Sequence, residues 1–167
     1  MMSDVLQPIK TGLALVFLAL IFGLSLGVSF GVNEEFFKEF VAQGIAENPE
    51  VHDVKSQGKI WRYAQRAHFH SMGIAAFSIG LLLLVAFSSL KSSYKKLVSI
   101  LIGLGGLYPL AWLSMFNLAP SIGRGAAHSH IATELLAYLG VGSLLTGLTI
   151  LILNLFTRLF SEIETST

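Results

Sequence analysis

His70–Leu90 reads HSMGIAAFSIGLLLLVAFSSL, a run with no charged residue. About 20 consecutive apolar residues cross the hydrocarbon core of a bilayer as a helix. The stretch is thus read as a transmembrane helix, because a strand would leave backbone groups unpaired in lipid. Three further runs meet the same length: Thr11–Val32, Leu97–Leu118 and Ile131–Thr157. With the polar heads of the second and fourth runs included, the spans are about 11–32, 68–90, 97–118 and 128–157. The expected fold is an all-α integral membrane four-helix bundle, a single transmembrane domain over 1–167.

Composition agrees with this reading. The chain of 167 residues is 53% hydrophobic and 13% charged, with a mean hydropathy of +0.70. A soluble domain rarely has that balance. A formal charge of +1 argues for no nucleic-acid partner. The absence of cysteine excludes disulfides, thiolate metal sites, iron–sulfur clusters and c-type haem attachment. The first run is longer than a signal-peptide core, and is read as a retained span.

Between the first two spans, Asn33 is placed to cap a new helix, with Glu34 and Glu35 in its first turn. Phe36, Phe37, Phe40, Val41 and Gly44 share one face, which predicts an amphipathic helix lying at the interface. Asn48-Pro49 ends it. Glu50 to Arg66 is the one extended polar connection, with Trp61 and Tyr63 as interface anchors. Gly103, Gly105, Gly106 and Pro109 predict a bend in the third span. Pro120, Gly123 and Gly125 are expected to turn the chain into the fourth, and Ser161–Thr167 is a polar tail. Gly23, Gly27 and Gly31 form a stripe for close helix approach, within the bundle or between copies of the chain. Lys91, Lys95 and Lys96 form a compact basic turn, which favours termini in the cytoplasm; the expected location is a bacterial inner membrane.

One phrase occurs twice: Ala67-His68-Phe69-His70 and Ala127-His128-Ser129-His130, each opening an apolar run. A histidine at a membrane boundary is costly unless paired or wetted, so its repetition points to function. The second and fourth spans run parallel and bring both phrases to one depth. Residues i and i+2 of a helix point about 200° apart, so one histidine of each pair faces inward. Glu134, four residues after His130, nominates His130, and the repeat nominates His70. His68 and His128 then serve as supporting groups or as ligands of a second site. His70 and His130 suit the axial positions of a haem b, with Arg62, Arg66 and Arg124 near its propionates or near lipid headgroups. The rival is a copper, zinc or iron ion held by His68, His70, His128, His130 and Glu134. A third reading is an accessory or assembly subunit with no cofactor. His52 is expected to be solvated, and Tyr108, Trp112 and Tyr138 to pack or anchor.

Arg66-Ala67-His68-Phe69-His70-Ser71-Met72-Gly73 resembles the H-x-H-x-x-G helix starts of small membrane proteins distantly related to haem–copper oxidase subunit I. The general plan is similar to that of four-helix membrane b-type cytochromes. The second phrase has Thr133 where the first has Gly73. The resemblance implies haem b or copper, and electron transfer with quinone or a respiratory partner.

Overall fold

A computed structural model describes residues 2–161. The rest of the polar tail, 162–167, lies outside the described residues. The elements are α1 (Met2–Leu6), α2 (Lys10–Glu47), α3 (Ser56–Phe87), α4 (Ser92–Leu104), α5 (Tyr108–His128) and α6 (Ile131–Thr157). Short 3-10 turns join α1 to α2, α2 to α3 and α4 to α5. Four segments are long and apolar enough to cross a membrane: α1–α2, α3, α4–α5 and α6. Even the shortest, 27 residues, extends about 40 Å at 1.5 Å per residue, more than the roughly 30 Å hydrocarbon core. The chain is an all-α four-helix bundle and an integral membrane protein in contact with the bilayer.

The third span organises the bundle. α2 lies against α3 and α4; α3 also lies against α5; α6 lies against α4, α5 and the turn between them. α5 therefore stands between α3 and α6. Lipid supplies no hydrophobic drive for helix association, so close packing carries it. Small residues permit that closeness. A Cβ at Gly103 would sit 2.8 Å from the Gly12 carbonyl oxygen, and one at Gly140 2.5 Å from the Tyr108 nitrogen. Val16, Leu82, Val98, Ile102 and Leu151 fill the core at the end that holds the termini. Val41, Ile60, Ala64, Phe116 and Ala127 fill the other end. There Trp61 packs edge-on to Phe30 and Phe116.

Sequence and structure agree at Asn33. Its side chain accepts from the Phe36 N–H (3.2 Å), and its own backbone is non-helical (φ −151°, ψ 66°). α2 is kinked there, and the amphipathic stretch continues from the first span without a loop. The bend in the third span also forms: Gly105–Leu107 is a 3-10 turn, and Pro109 sits in the first turn of α5, where a missing N–H costs nothing.

Four boundaries differ from expectation. The basic turn is short, since α4 starts at Ser92 and takes in Lys95 and Lys96. The polar connection is helical from Ser56 onward, because Asp53 and Ser56 close a reciprocal cap: the Asp53 N–H donates to Ser56 Oγ, and Ser56 Oγ–H donates to Asp53 Oδ1, both at 3.0 Å. α5 continues through Pro120 and breaks only at Gly123, whose φ of +79° favours glycine. The turn into the fourth span lies at Ser129–His130, so His128 closes α5 and His130 precedes α6.

Candidate functional site

The two histidines of the first phrase lie on opposite sides of α3, as helical spacing requires. His68 faces α2. Its Nδ1–H donates to the Gly23 carbonyl (2.8 Å), and its ring lies over Gly27, where a Cβ would come within 2.6 Å of Cε1. Ser71, one turn on and buried, donates to the Ala19 carbonyl (2.6 Å). The glycine stripe is thus covered at Gly23 and Gly27 by the chain's own α3, whereas nothing lies within 4 Å of a Cβ at Gly31.

His70 faces α5. Its Nδ1–H donates to the Arg66 carbonyl (2.8 Å). The ring stacks on Trp112 (centroids 5.6 Å apart, planes 28°) and meets the Tyr108 ring at 5.3 Å. The Arg66 guanidinium also covers the Trp112 ring at 4.7 Å, a cation–π contact. Because Nδ1 carries the proton in both His68 and His70, each neutral ring keeps the Nε2 lone pair that a metal or a hydroxyl takes.

The second phrase is arranged differently. His130 is the N-cap of α6: its Nδ1 accepts from the Ala132 N–H (3.3 Å). That bond places the proton of the neutral ring on Nε2. Glu134 stands in the first turn of α6, where a carboxylate is favoured by the helix dipole, and its N–H donates to the His130 carbonyl (3.0 Å). His128 is exposed. With Glu134, Thr133, Tyr108, Trp112 and Tyr138 it lines a cleft of about 190 Å3 between α5 and α6. The Trp112 Nε1–H is buried without a partner. Tyr108 and Trp112 therefore form a wall with His70 on it and His128 beside the adjoining cleft. His70 and His130 do not meet across an α3–α6 interface, since α5 intervenes. Among the described residues, no three His, Asp or Glu side chains come together as an ion site.

Arginines gather at the same end. Lys59, Arg62, Tyr63, Arg66 and Arg124 surround a second cleft of about 190 Å3. Arg124 pairs with Asp53 (3.2 Å); among the described residues, Lys59, Arg62 and Arg66 have no ion pair. The Ser56 hydroxyl, the Lys55 N–H, and the Arg124 and Lys59 charges together hold the Asp53 carboxyl below its ordinary range against some desolvation. His52, expected to be solvated, is half-buried. It bonds through Nε2 to the Pro120 carbonyl (2.8 Å), and its Nδ1 is buried without a partner. The break at Gly123 interrupts the helix just beyond that carbonyl, which sequence spacing alone does not reveal.

Searches against protein-family models, curated proteins and solved structures found no match to this chain.

Proposed function

We propose that the chain is a membrane electron-transfer protein that holds one haem b through His70 and His128. The observation that carries this reading is the imidazole of His70. Its Nδ1–H is fixed on the Arg66 carbonyl, which orients the ring and leaves Nε2 basic. His128 is favoured over His130 as the second ligand, because His130 spends Nδ1 on the α6 cap. His128 shares the Tyr108–Trp112 wall with His70.

The donor set suits haem better than a bare ion. A zinc or copper ion asks the protein for three or four clustered ligands, and no such group exists among the described residues. Haem brings four ring nitrogens and asks for one or two axial side chains. The unpaired Trp112 Nε1–H and the cationic cleft of Arg62, Arg66 and Arg124 supply a donor and countercharges for propionates. The α5–α6 cleft, about 190 Å3, is smaller than sites of about 300–1,000 Å3 that enclose ligands. The bilayer would supply the remaining cover.

Bound haem would supply a reversible one-electron acceptor. The chain's own work is to orient and shield. Trp112 and Tyr108 keep water from one face of His70, and Arg66 stays in place through its contact with Trp112. Lys91, Lys95 and Lys96, at the start of α4, favour termini inside, which puts the histidine end outside; the membrane proposed is a bacterial inner membrane. Quinone or a respiratory protein would then be the redox partner.

The test is absorption of the detergent-purified protein, expressed with ample haem. A Soret band is expected in the wild type and in His130→Ala, with its bis-histidine form lost in His70→Ala and His128→Ala. A band that survives His70→Ala unchanged refutes the assignment.

A further inference from the structure

The face of α3 opposite His70 carries a groove with a chemistry of its own. It runs between α2 and α3 and measures about 300 Å3, at the lower limit of ligand sites, about 300–1,000 Å3. Gly27 and Gly31 belong to its α2 side, and nothing lies within 4 Å of a Cβ at Gly31, so the space there is open. Phe30, Trp61 and Phe69 supply aromatic walls. Gly31 stands 21 residues beyond Lys10, the first residue of α2. At 1.5 Å per residue that is about 32 Å, close to the thickness of the hydrocarbon core. The groove therefore lies at the depth of the lipid headgroups.

Its polar groups select a cation. Among the described residues that line it, Glu34 is the one charged group. The neutral His68 ring commits Nδ1–H to the Gly23 carbonyl, so its Nε2 can only accept, and that atom has no hydrogen-bond partner among the described residues. Gln65 accepts through its amide oxygen or donates through its amide nitrogen, and so suits either an N–H or a phosphate oxygen. Aromatic rings attract an ammonium electrostatically. Lys38, one turn beyond Glu34, pairs with its Oε1 at 3.2 Å in a contact open to solvent. Such exposed pairs are weak. An incoming group that carries both charges can exchange for this one, with its ammonium on Glu34 and its phosphate on Lys38. A primary ammonium also brings N–H groups for the His68 lone pair, whereas a trimethylammonium has none.

We propose that this groove binds the headgroup of an ethanolamine phospholipid, its primary ammonium held by Glu34 and His68 Nε2, its phosphate at Lys38 and its acyl chains in the bilayer. The site shares no residue with the haem reading and does not depend on it.

The purified full chain in dodecyl maltoside micelles is titrated with dioctanoyl phosphatidylethanolamine and, separately, with the choline and glycerol lipids of the same chain length. Binding is read as the tryptophan fluorescence change that disappears in Trp61→Phe. Saturable binding of the ethanolamine lipid is expected, about tenfold tighter than either of the others. Choline lacks the N–H that His68 Nε2 takes, and glycerol lacks the charge that Glu34 takes. Glu34→Gln should weaken binding about tenfold, the scale of one hydrogen bond to a charged group. Gly31→Leu places its Cβ in open space and should weaken binding at least as much. Helical circular dichroism should be unchanged in both variants. Soluble phosphoethanolamine, which has no acyl chains, should bind at least tenfold more weakly than the lipid. A fluorescence change that never saturates, equal affinity for the three lipids, equal affinity for phosphoethanolamine, or full binding by folded Glu34→Gln or Gly31→Leu would overturn the proposal. None of these readouts involves haem, so their failure leaves the His70 reading standing.

Discussion

Replacing Gly27 with alanine tests how His68 is seated. The added methyl carbon would lie 2.6 Å from His68 Cε1 and 3.1 Å from Nδ1, well inside the roughly 3.5–4.0 Å of carbon contact. The ring must retreat by about 1 Å to restore that contact, which breaks its 2.8 Å bond to the Gly23 carbonyl. An interhelical hydrogen bond in a membrane contributes about 0.6 kcal/mol, and overpacking costs about 1–3 kcal/mol. Against this, alanine gains about 1 kcal/mol of helix propensity over glycine. The net expectation is a loss of about 1–2 kcal/mol. In a His68→Ala background the collision and the bond are both gone, so the same substitution should stabilise by about 1 kcal/mol. The sign reverses, and the coupling is about 2–3 kcal/mol. Reversible unfolding in mixed micelles, run on all four members of the cycle, measures it. Additivity within about 0.5 kcal/mol would refute the claim that Gly27 exists to seat His68.

Other expectations follow from individual contacts. Gly140→Ala should destabilise by about 1–3 kcal/mol, because its Cβ meets Tyr108 backbone, which cannot swing aside; Gly142→Ala, with nothing within 4 Å, should not, and equal effects in micelle unfolding would contradict this. Asn33→Ala removes the cap on the Phe36 N–H and should cost about 1 kcal/mol, with faster amide exchange confined to the turn after residue 33. The Asp53 carboxyl titrates below its ordinary value of 3.8 in the folded chain. A lowered folded pKa means its contribution is complete above that ordinary value and fades as pH falls below it toward the folded pKa. Proteolysis between residues 48 and 56 should therefore accelerate at the acid end in wild type and be fast at every pH in Asp53→Asn. A wild-type rate that is flat with pH would contradict the role of that cap.

The spans were legible because length and hydropathy are local properties, read along one segment at a time. The Asn33 cap and the bend before Pro109 were legible for the same reason, since both depend on residues a turn apart. The division of His68 from His70 was also legible from helical spacing. Which neighbour each ring meets was not, because that depends on the order of helices around the bundle, and α5 takes the place between α3 and α6. Trp112 and Tyr108 share a face at i and i+4, and so form one aromatic wall. Only the fold brings His70 to that wall. Glu134, four residues on, makes His130 read as helical from sequence. In the structure it caps the helix, a role that usually falls to Ser, Thr, Asp or Asn. His52 was hidden for a related reason: its partner carbonyl at Pro120 lies beside a break in α5 set by the positive φ of Gly123.

On the proposed reading, His70 presents a metal-binding Nε2 to one haem. The most direct measurement is the reduced-minus-oxidised visible difference spectrum of the purified protein, with haem and chain quantified in the same sample. One b-type haem per chain is expected in the wild type, with none in a folded His70→Ala variant. A folded wild-type protein that stays colourless after expression with ample haem would contradict it.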